Sequence, residues 1–463
     1  MYFINRESEL KFLNQKWSEE KFELIVLYGK RRVGKTELMK QFLKDKSGVY
    51  FLADKRDPSS QLAELTEIIG KELKNTLLEK YPAKDWLDLF GILKTQIKDR
   101  FILIIDEYPY LTEVDKATGS VFQKAVDEIL KDTQIFLVLS GSSISMMENE
   151  VLDYASPLYG RRTGDILLKP MTFKNAWKFY PTLDFNQFLE FYAVLGGLPA
   201  YISQFDPKVG LIENITQKIL TPGLLFNEIN FILRTEFREP TNYFDILRVV
   251  SNGQRKFSEI VNSVNIPSNQ LTTYLQTLEN LHLITKEHAV TDNPAKSKKG
   301  LYKIQDNFYK FWFRYIYPFK SYLEIGKMES SLQKFNEDHQ TNLGKIYEEV
   351  ALELIWDITS NHPKLFTLEK AGRWWNNNEE IDIVGYNKDQ KKILFGECKY
   401  TQKPVGMSIY TALQEKAKQV DWQNEDRTEY FILFSKSGFT VEIVDFAQKV
   451  ENLVLVSGIE EFA

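Results

Sequence analysis

The chain has 463 residues, 43% of them hydrophobic, and a formal net charge of −5. This length predicts about three domains. The net negative charge argues against strong sequence-independent binding of the whole chain to nucleic acid. The single cysteine, Cys398, excludes an internal disulfide and is typical of a reducing compartment. The N-terminal MYFINRESEL lacks an apolar signal segment, and the apolar runs are too short to span a bilayer, so we expect a cytoplasmic protein without membrane contact.

The first part of the chain, up to about residue 170, alternates short apolar runs with helical patterns. The predicted strands are ELIVLY (23–28), VYFLA (49–53), FILIID (101–106) and IFLVLSG (135–141). Fully apolar strands separated by helices indicate a parallel sheet that is covered on both faces. We therefore expect an α/β domain here.

A phosphate-binding loop follows the first strand. The stretch GKRRVGKT fits G-x-x-x-x-G-K-[ST] in the required strand–loop–helix context; its members are Gly29, Arg32, Val33, Gly34, Lys35 and Thr36. Glycines let backbone N–H groups close around phosphate oxygens, and the helix N-terminus adds positive potential. Lys35 is expected to reach the β- and γ-phosphates of ATP, and the Thr36 hydroxyl to help hold Mg²⁺.

Two carboxylates end the third strand. In FILIIDEYPYL, Asp106 is expected to hold Mg²⁺ through water, and Glu107 to polarise the attacking water. Alone, this pair would indicate only a solvated loop; combined with the phosphate loop, the catalytic interpretation is favoured. The strand at 49–53 lies between the two motifs in sequence, which suggests the additional-strand group of P-loop ATPases.

Three further polar residues have two interpretations each. Ser142 follows the fourth strand, where it is either a sensor of the γ-phosphate or the N-cap of the next helix. Arg161 and Arg162 either place a guanidinium on the γ-phosphate, in their own or a neighbouring chain, or form a solvated basic turn.

The middle of the chain fits a helix-turn-helix. Residues 257–284 contain two helical patterns separated by a break at Pro267; the predicted core is Val261, Val264, Leu271, Leu275 and Leu278. The exposed face of the second helix is predicted to carry Asn269, Gln270, Thr272, Thr273 and Gln276, which can read base edges. A following turn with Lys296, Lys298 and Lys299 is either a wing that contacts phosphates or part of a domain used for packing.

A second phosphate chemistry is indicated near the C-terminus. EEIDIVGYN and ILFGECKY are predicted strands joined by a turn at NKDQKK, which brings Asp382 beside Glu397 and Lys399 and turns Cys398 to the opposite, buried face. Two carboxylates there can bind a divalent metal ion, and the lysine can stabilise developing negative charge, as in the D…E-x-K arrangement of nucleases. The alternative is a cross-strand salt bridge.

The chain as a whole resembles the archaeal-type ATPases, which are related to the AAA and STAND ATPases. The motifs that carry the resemblance are FINRESEL, GKRRVGKT, LIIDEYPYL, SGSSISMM, PLYGRRTGDI, GGLPAYI, GRWWNNNEEIDIVG and GECKY. The resemblance implies an α/β chain built from a P-loop ATPase core (1–170), a helical lid (171–236), a winged helix (237–322) and a restriction-endonuclease-like domain of the PD-(D/E)xK type (323–463). It also implies that Arg6 and Glu7 lie near the nucleotide and that Glu348 is a helical metal ligand.

Two main functional hypotheses follow. The first is an enzyme that acts on nucleic acid, most simply DNA, under the control of ATP and Mg²⁺, with Asp382, Glu397 and Lys399 as the cleavage site. The second is an ATP-dependent switch or binding module whose nuclease-like domain does not cut. A homo-oligomer is compatible with either hypothesis, and a nucleotide-gated structural assembly is a third, weaker one.

Overall fold

The computed structural model describes residues 3–295, 297 and 299–457. They form two compact units: one runs up to Met171 and includes Leu198–Ala200, and the other comprises Thr172–Gly197 and continues from Tyr201. This division is coarser than the four predicted domains, whose boundaries stay predictions. Across the described ranges, we find no helix with the length and hydrophobicity needed to cross a membrane.

The first unit is built on a five-stranded parallel sheet. Its strands are β1 (Glu23–Tyr28), β2 (Gly48–Leu52), β3 (Phe101–Asp106), β4 (Ile135–Gly141) and β5 (Gly164–Leu167). The order across the sheet is β2-β3-β4-β1-β5, with all neighbours parallel. The four predicted strands are confirmed within one residue at each end, and β4 is the strand inserted between the phosphate-loop strand and the strand of Asp106.

Helices cover this sheet. They are α1 (Glu7–Trp17), α2 (Lys35–Leu43), α3 (Pro58–Glu72), α4 (Thr76–Lys80), α5 (Trp86–Gln96), α6 (Pro109–Val114), α7 (Thr118–Ala125, continued by π-helical Val126–Leu130) and α8 (Ile144–Met147, continued by π-helical Glu148–Leu152). Alternate strand residues, Leu24 and Val26 of β1 and Leu103 and Ile105 of β3, share one apolar cluster with Phe90 of α5. The strands read as continuous apolar runs because both of their faces are buried.

The second unit begins with short helices rich in aromatic residues. These are α9 (Phe173–Trp177), α10 (Phe185–Leu195), α11 (Pro199–Ile202, whose first two residues belong to the first unit), α12 (Leu211–Ile215, continued by π-helical Thr216–Leu220) and α13 (Leu224–Glu236). The start of α9 is held by a carboxylate from far along the chain, because the Phe173 N–H donates to Glu353 Oε1 at 2.8 Å. Such an anion at a helix N-terminus satisfies a free amide group.

Three helices and a β-ribbon follow. They are α14 (Thr241–Ser251), α15 (Phe257–Ser263), α16 (Ser268–Asn280) and the antiparallel pair β6 (Ile284–Glu287) and β7 (Leu301–Ile304). Of the predicted core, Val264, Leu271, Leu275 and Leu278 are buried, whereas Val261 is only half-buried and its neighbour Ile260 is fully buried instead. The five polar residues predicted on the outer face of α16 are all exposed. The identity of this module as a winged helix stays a prediction.

The C-terminal part contains a mixed sheet behind a long helix. The helices are α17 (Asn307–Phe311, continued by π-helical Trp312–Ile316 and 3₁₀-helical Tyr317–Phe319), α18 (Lys320–Glu324), α19 (Glu329–Asn361), α20 (Met407–Ala417) and α21 (Val441–Lys449). The strands are β8 (Lys370–Trp375), β9 (Glu380–Asn387), β10 (Lys392–Lys399), β11 (Thr428–Ser435) and β12 (Leu453–Ser457), in the order β12-β11-β10-β9-β8. The two strands predicted to form a hairpin are β9 and β10.

The long connection between β6 and β7 packs on the edge of this sheet. The Val290 N–H donates to Arg373 O of β8 at 2.9 Å, and Lys370 Nζ donates to Val290 O at 2.7 Å. Val290 is buried in the same apolar cluster as Trp374 of β8. Lys299 of this connection is exposed, whereas Lys296 and Lys298 lie outside the described residues. The connection thus packs against β8 through Val290 and covers an otherwise unpaired strand edge, while the role of the lysine turn as a wing stays a prediction.

Glu353 makes the stability of the fold dependent on pH. Burial raises the pKa of Glu353 to about 7 in spite of the backbone hydrogen bonds from Phe173 and Lys174. Because this value exceeds that of an unfolded glutamate, about 4.3, the folded state binds the proton more tightly, and the free energy of unfolding falls as pH rises from about 4 to about 7. Glu353→Gln keeps an acceptor for the Phe173 N–H and removes the charge.

We therefore expect Glu353→Gln to be more stable than wild type at pH 8, by on the order of 1 kcal/mol, and to match it near pH 4. Urea unfolding at the two pH values measures this difference. Glu337→Gln, an exposed position on the same helix, is the control. An identical pH dependence of wild type and Glu353→Gln would contradict the assignment.

Candidate functional site

The phosphate loop occupies residues 29–36 between β1 and α2. Gly29 and Gly34 have φ of 151° and 99°, and Gly34 is the N-cap of α2. A Cβ at Gly29 would lie 2.4 Å from Leu168 O. Both glycines are therefore needed, since only residues without a Cβ tolerate this backbone and this approach.

Lys35 is buried in the loop, with 6% of its surface exposed. Its Nζ donates to Gly29 O at 2.9 Å and to Lys30 O at 3.1 Å. The ammonium group thus lies inside the curve of the loop, where backbone N–H groups at a helix start also concentrate positive potential. An anion bound there would contact the Lys35 ammonium group and would lie in the positive potential of the backbone N–H groups.

Arg6 supports the loop from behind. Its Nη2 donates to Val33 O at 3.1 Å and to Lys169 O at 2.8 Å, and Nη1 pairs with Glu9 at 3.2 Å. Burial lowers the pKa of this guanidinium. Arg6 therefore fixes the loop backbone at Val33, while Glu7, the first residue of α1, is exposed. Arg32 has φ of 68° and is exposed.

Three oxygen atoms converge at the end of β3. Thr36 Oγ1 donates to Asp106 Oδ2 at 3.1 Å, and Tyr50 OH donates to the same oxygen at 2.7 Å. Burial and this hydrogen bond raise the pKa of Tyr50. Thr36 and Asp106 are the two residues predicted to hold Mg²⁺, and their oxygens fit that cation's ligand preference. Tyr50 was not predicted; its adjacency follows only from the pairing of β2 with β3.

Glu107 and Ser142 are joined across the ends of two adjacent strands. Glu107 has φ of 55°, an unfavourable backbone for a residue with a side chain, and its Oε2 accepts from the Ser142 N–H at 3.1 Å. The N-cap of α8 is Ser143, whose side chain accepts from the Met146 N–H. The interpretation of Ser142 as this N-cap is therefore wrong, and its role as a phosphate sensor stays a prediction.

Arg161 and Arg162 lie away from the phosphate loop. They directly precede β5, whose first residue, Gly164, pairs with Ile25 near the start of β1, whereas the loop follows the end of β1. Arg161 forms two hydrogen bonds with Asp127, at 2.7 and 2.8 Å. The backbone of both arginines is thus at the end of β1 opposite to the loop, and the action of either guanidinium on a phosphate stays a prediction.

The C-terminal hairpin forms as predicted. β9 and β10 pair antiparallel up to Gly396 and Ile383, and continuing this register places Glu397 opposite Asp382. The Asp382 carboxylate accepts from the Cys398 N–H at 2.9 Å, and Lys399 Nζ donates to Glu397 Oε1 at 2.8 Å. Cys398 is 5% exposed, and burial raises the pKa of its thiol. The structure therefore brings Asp382, Glu397 and Lys399 together.

Three carboxylates in this region lie close enough to share a cation. One oxygen each from Glu348 of α19, Glu380 and Asp382 lies within 4.8 Å of the others. Glu397, a predicted metal ligand, is not a member of this group, and Glu380 takes its place. The alternation in EEIDIVG already puts Glu380 on the face of Asp382. These carboxylates form a donor set of the kind that Mg²⁺ prefers.

The pKa values of two of these carboxyl groups, Glu348 and Asp382, are raised. Burial and the charge of Asp382 raise the pKa of Glu348 to about 7, and burial and the charge of Glu397 raise the pKa of Asp382 to about 6. Like charges held together in a poorly solvated place disfavour full ionisation. A divalent cation would relieve that repulsion.

Basic side chains surround the carboxylates. Arg373 Nη2 lies 3.4 Å from Glu348 Oε2 and also bonds Glu380. Lys416 Nζ from α20 donates to both Glu397 oxygens at 3.1 Å. Neither residue was predicted: Arg373 lies within the motif GRWWNNNEEIDIVG but was not singled out, and Lys416 comes from α20, which carries no motif. Glu397 is thus held between two lysines, Lys399 and Lys416.

Two family descriptions match the chain. Residues 3–205 match one described as an ATPase domain predominantly from Archaea, and residues 312–419 match one described as archaea bacterial proteins of unknown function. The chain is 35% identical over 438 residues to an uncharacterized protein of Methanocaldococcus jannaschii, which covers 94% of this chain and 95% of that protein.

Two shorter or more distant similarities concern nucleotide-binding proteins. An uncharacterized ATP-binding protein of the same organism is 61% identical over 44 residues, 10% of this chain and 75% of that protein. Among solved structures, a Walker-type ATPase of Pyrococcus abyssi matches with a TM-score of 0.51 and 24% identity over 67% of this chain and 96% of that chain. The structural match concerns the fold.

Proposed function

The chain belongs to the family of P-loop ATPases found predominantly in archaea, and from this premise we propose that it couples ATP hydrolysis to a metal-dependent nuclease site acting on nucleic acid. The ATPase function rests on the family and on the phosphate loop. The nuclease site, its Mg²⁺, its substrate and the coupling between the two sites are the proposal.

The ATPase part of the proposal assigns a task to each residue at the end of the first sheet. The loop from Gly29 to Thr36 binds the phosphates through its backbone N–H groups, and Lys35 leaves its two carbonyl partners to meet the terminal phosphates. Thr36 and Asp106 would hold Mg²⁺, which neutralises phosphate charge when bound. Glu107, released from the Ser142 N–H, orients and polarises the attacking water.

The observation that carries the nuclease proposal is the convergence of Glu348, Glu380 and Asp382 beside Glu397 and Lys399. The three carboxylates would hold the cation, and a divalent ion bound there polarises a phosphodiester and lowers the pKa of a water. Lys399 keeps an ammonium group beside the site, because its bond to Glu397 and the nearby carboxylates outweigh the effect of burial and raise its pKa. It would stabilise the negative charge that develops on phosphate oxygens.

The nucleic-acid partner is inferred from the middle of the chain. α14 to α16 with the β6–β7 ribbon have the element order of a winged helix, and α16 presents polar side chains on its exposed face. In the proposal, this helix contacts DNA, while the packed part of the connection holds the module against β8. A homo-oligomer would let Arg161 or Arg162 serve the nucleotide of a neighbouring chain.

Cleavage assays test the proposal directly. We expect Mg²⁺- or Mn²⁺-dependent cleavage of single- or double-stranded DNA or RNA by the full chain, with a rate that changes when ATP is added. Chelation of the metal should abolish cleavage. No cleavage of any of these substrates, by protein with normal ATPase activity, would refute the nuclease proposal.

A second candidate function is an ATP-dependent switch that binds nucleic acid or protein without cutting. It is favoured by Arg373, whose guanidinium already bonds two of the three clustered carboxylates, and by the two lysines on Glu397. Side-chain cations of this kind can neutralise the carboxylates without a metal ion. Calorimetric titration with Mn²⁺ separates the candidates, because the switch predicts no metal binding in this domain.

A further inference from the structure

A cleft with a volume of about 150 Å³ lies between α14, β7, α17 and α19 in the second unit. Its lining contains six basic side chains: Arg255, Lys303, Lys310, Arg314, Lys345 and Arg373. Glu349 is the one carboxylate among the described residues that line it. This concentration of positive charge contrasts with the net charge of −5 of the whole chain.

Other carboxylates hold these basic groups without lining the cleft. Glu287 pairs with Arg255 at 2.7 Å and with Lys303 at 3.5 Å. Asp338 pairs with Arg314 at 2.8 Å. These ion pairs fix the basic side chains in place, so that less conformational entropy is lost when they bind an anion.

The basic groups of the cleft favour the ionised form of Glu349. Burial by itself would raise the pKa of Glu349, but the charges of Lys310 and Lys303 outweigh it and lower the pKa to about 2. Lys310 Nζ donates to both Glu349 oxygens, at 3.1 and 3.3 Å. The two lysines therefore stabilise the negative charge of Glu349.

The basic surface extends in two directions. On one side, a second cleft of about 600 Å³ shares Arg314 and is also lined by Arg248, Lys334, the aromatic rings of Tyr317 and Phe319, and one carboxylate, Asp245. On the other side, the surface reaches the clustered carboxylates, because Arg373 lines the first cleft and lies 3.4 Å from Glu348. Basic groups with adjacent rings are the combination that binds single-stranded nucleic acid, through phosphates and base stacking.

We propose that this basic cleft binds the phosphodiester backbone of a single nucleic-acid strand and leads it toward the clustered carboxylates. The inference rests on the proposed function and assigns the path of its substrate. At about 150 Å³ the first cleft is smaller than the pockets of roughly 300–1,000 Å³ that enclose whole small ligands, so it takes a phosphate group of a strand that continues into the larger cleft.

Lys345 offers the cleanest test of the cleft. It is exposed on α19, and its ammonium group has no ion-pair partner within residues 3–295, 297 and 299–457. Its replacement therefore leaves no buried charge unpaired. Lys449→Ala, at an exposed lysine near the end of α21, is the matched control.

The experiment measures binding of a labelled single-stranded oligonucleotide by fluorescence anisotropy, as a function of salt. The full chain carries Asp382→Asn, and EDTA is present, so that binding is measured without cleavage. We expect Lys345→Ala to weaken binding several-fold and to reduce the salt slope by about 1. Lys345→Glu should weaken binding further, and Lys449→Ala should behave like its parent.

The outcomes separate this inference from the nuclease proposal. If Lys345→Glu and its parent bind the oligonucleotide with equal affinity and equal salt slope, the proposal that the cleft binds nucleic acid is wrong, even if wild type cleaves nucleic acid. Weakened binding in a protein that cleaves nothing supports the cleft and refutes only the nuclease. Displacement of the oligonucleotide by inorganic phosphate or a mononucleotide at equal phosphate concentration would overturn a strand site in favour of a small-anion site.

Discussion

Lys35→Ala is expected to reduce ATP hydrolysis by at least about 10²-fold, the scale of loss when one preorganised electrostatic contact to a transition state is removed. Lys35 is 6% exposed, and its ammonium group bonds two carbonyls of the loop, so that the substitution removes both the charge and the closure of the loop. Phosphate release and binding of a fluorescent ATP analogue measure the two effects separately.

The control for this variant is Lys40→Ala. Lys40 lies on the same helix, α2, but is exposed, and it pairs with the exposed Glu37 at 3.8 Å. The Lys40→Ala variant should hydrolyse ATP at the wild-type rate. Normal hydrolysis by Lys35→Ala would contradict the assignment of the phosphate loop. In the nuclease assay, equal cleavage by Lys35→Ala and wild type would show that the nuclease site does not depend on ATP hydrolysis at the phosphate loop.

Asp382→Asn is expected to lower metal-dependent cleavage by at least about 10²-fold. Asparagine retains an oxygen for the Cys398 N–H, which now bonds Asp382 at 2.9 Å, so the hairpin should keep its geometry. The variant loses a buried charge that the proposed cation would need. Cleavage rates, Mn²⁺ affinity by calorimetry and ATP hydrolysis should be measured on the same preparation.

The matched control is Asp389→Asn, an exposed aspartate in the turn of the same hairpin. We expect it to retain cleavage and metal affinity, and both variants to hydrolyse ATP normally. Undiminished cleavage by Asp382→Asn would place the nuclease activity elsewhere. Undiminished Mn²⁺ affinity would show that the cation does not depend on this carboxylate.

The sequence predicted the strands of the first sheet well because each is buried on both faces and reads as a continuous apolar run. β5 was missed because Gly164–Leu167 is short, contains Asp165 and is only partly buried. The order of the strands was also beyond the pattern, since nothing local in β4 indicates that it lies between β1 and β3.

In the candidate nuclease site too, some residues could be predicted from the local sequence and others could not. Asp382, Glu397 and Lys399 were predictable because strand alternation and one hairpin turn determine which side chains share a face. Arg373 and Lys416 approach from β8 and α20, and their positions depend on how these elements pack. Local periodicity therefore predicts the motif residues, whereas the charges that tune them are set by tertiary structure.

Three separate contacts depend on the directions in which side chains of α19 point around the helix axis. Lys345 lines the basic cleft, Glu348 belongs to the carboxylate cluster, and Glu353 accepts the Phe173 N–H at the start of α9. Each added or deleted residue would rotate the rest of the helix by about 100° and move Glu353 away from its partner. Changes in chain length should be tolerated in the turn at 388–391, whereas an insertion or deletion between Lys345 and Glu353 should break these contacts.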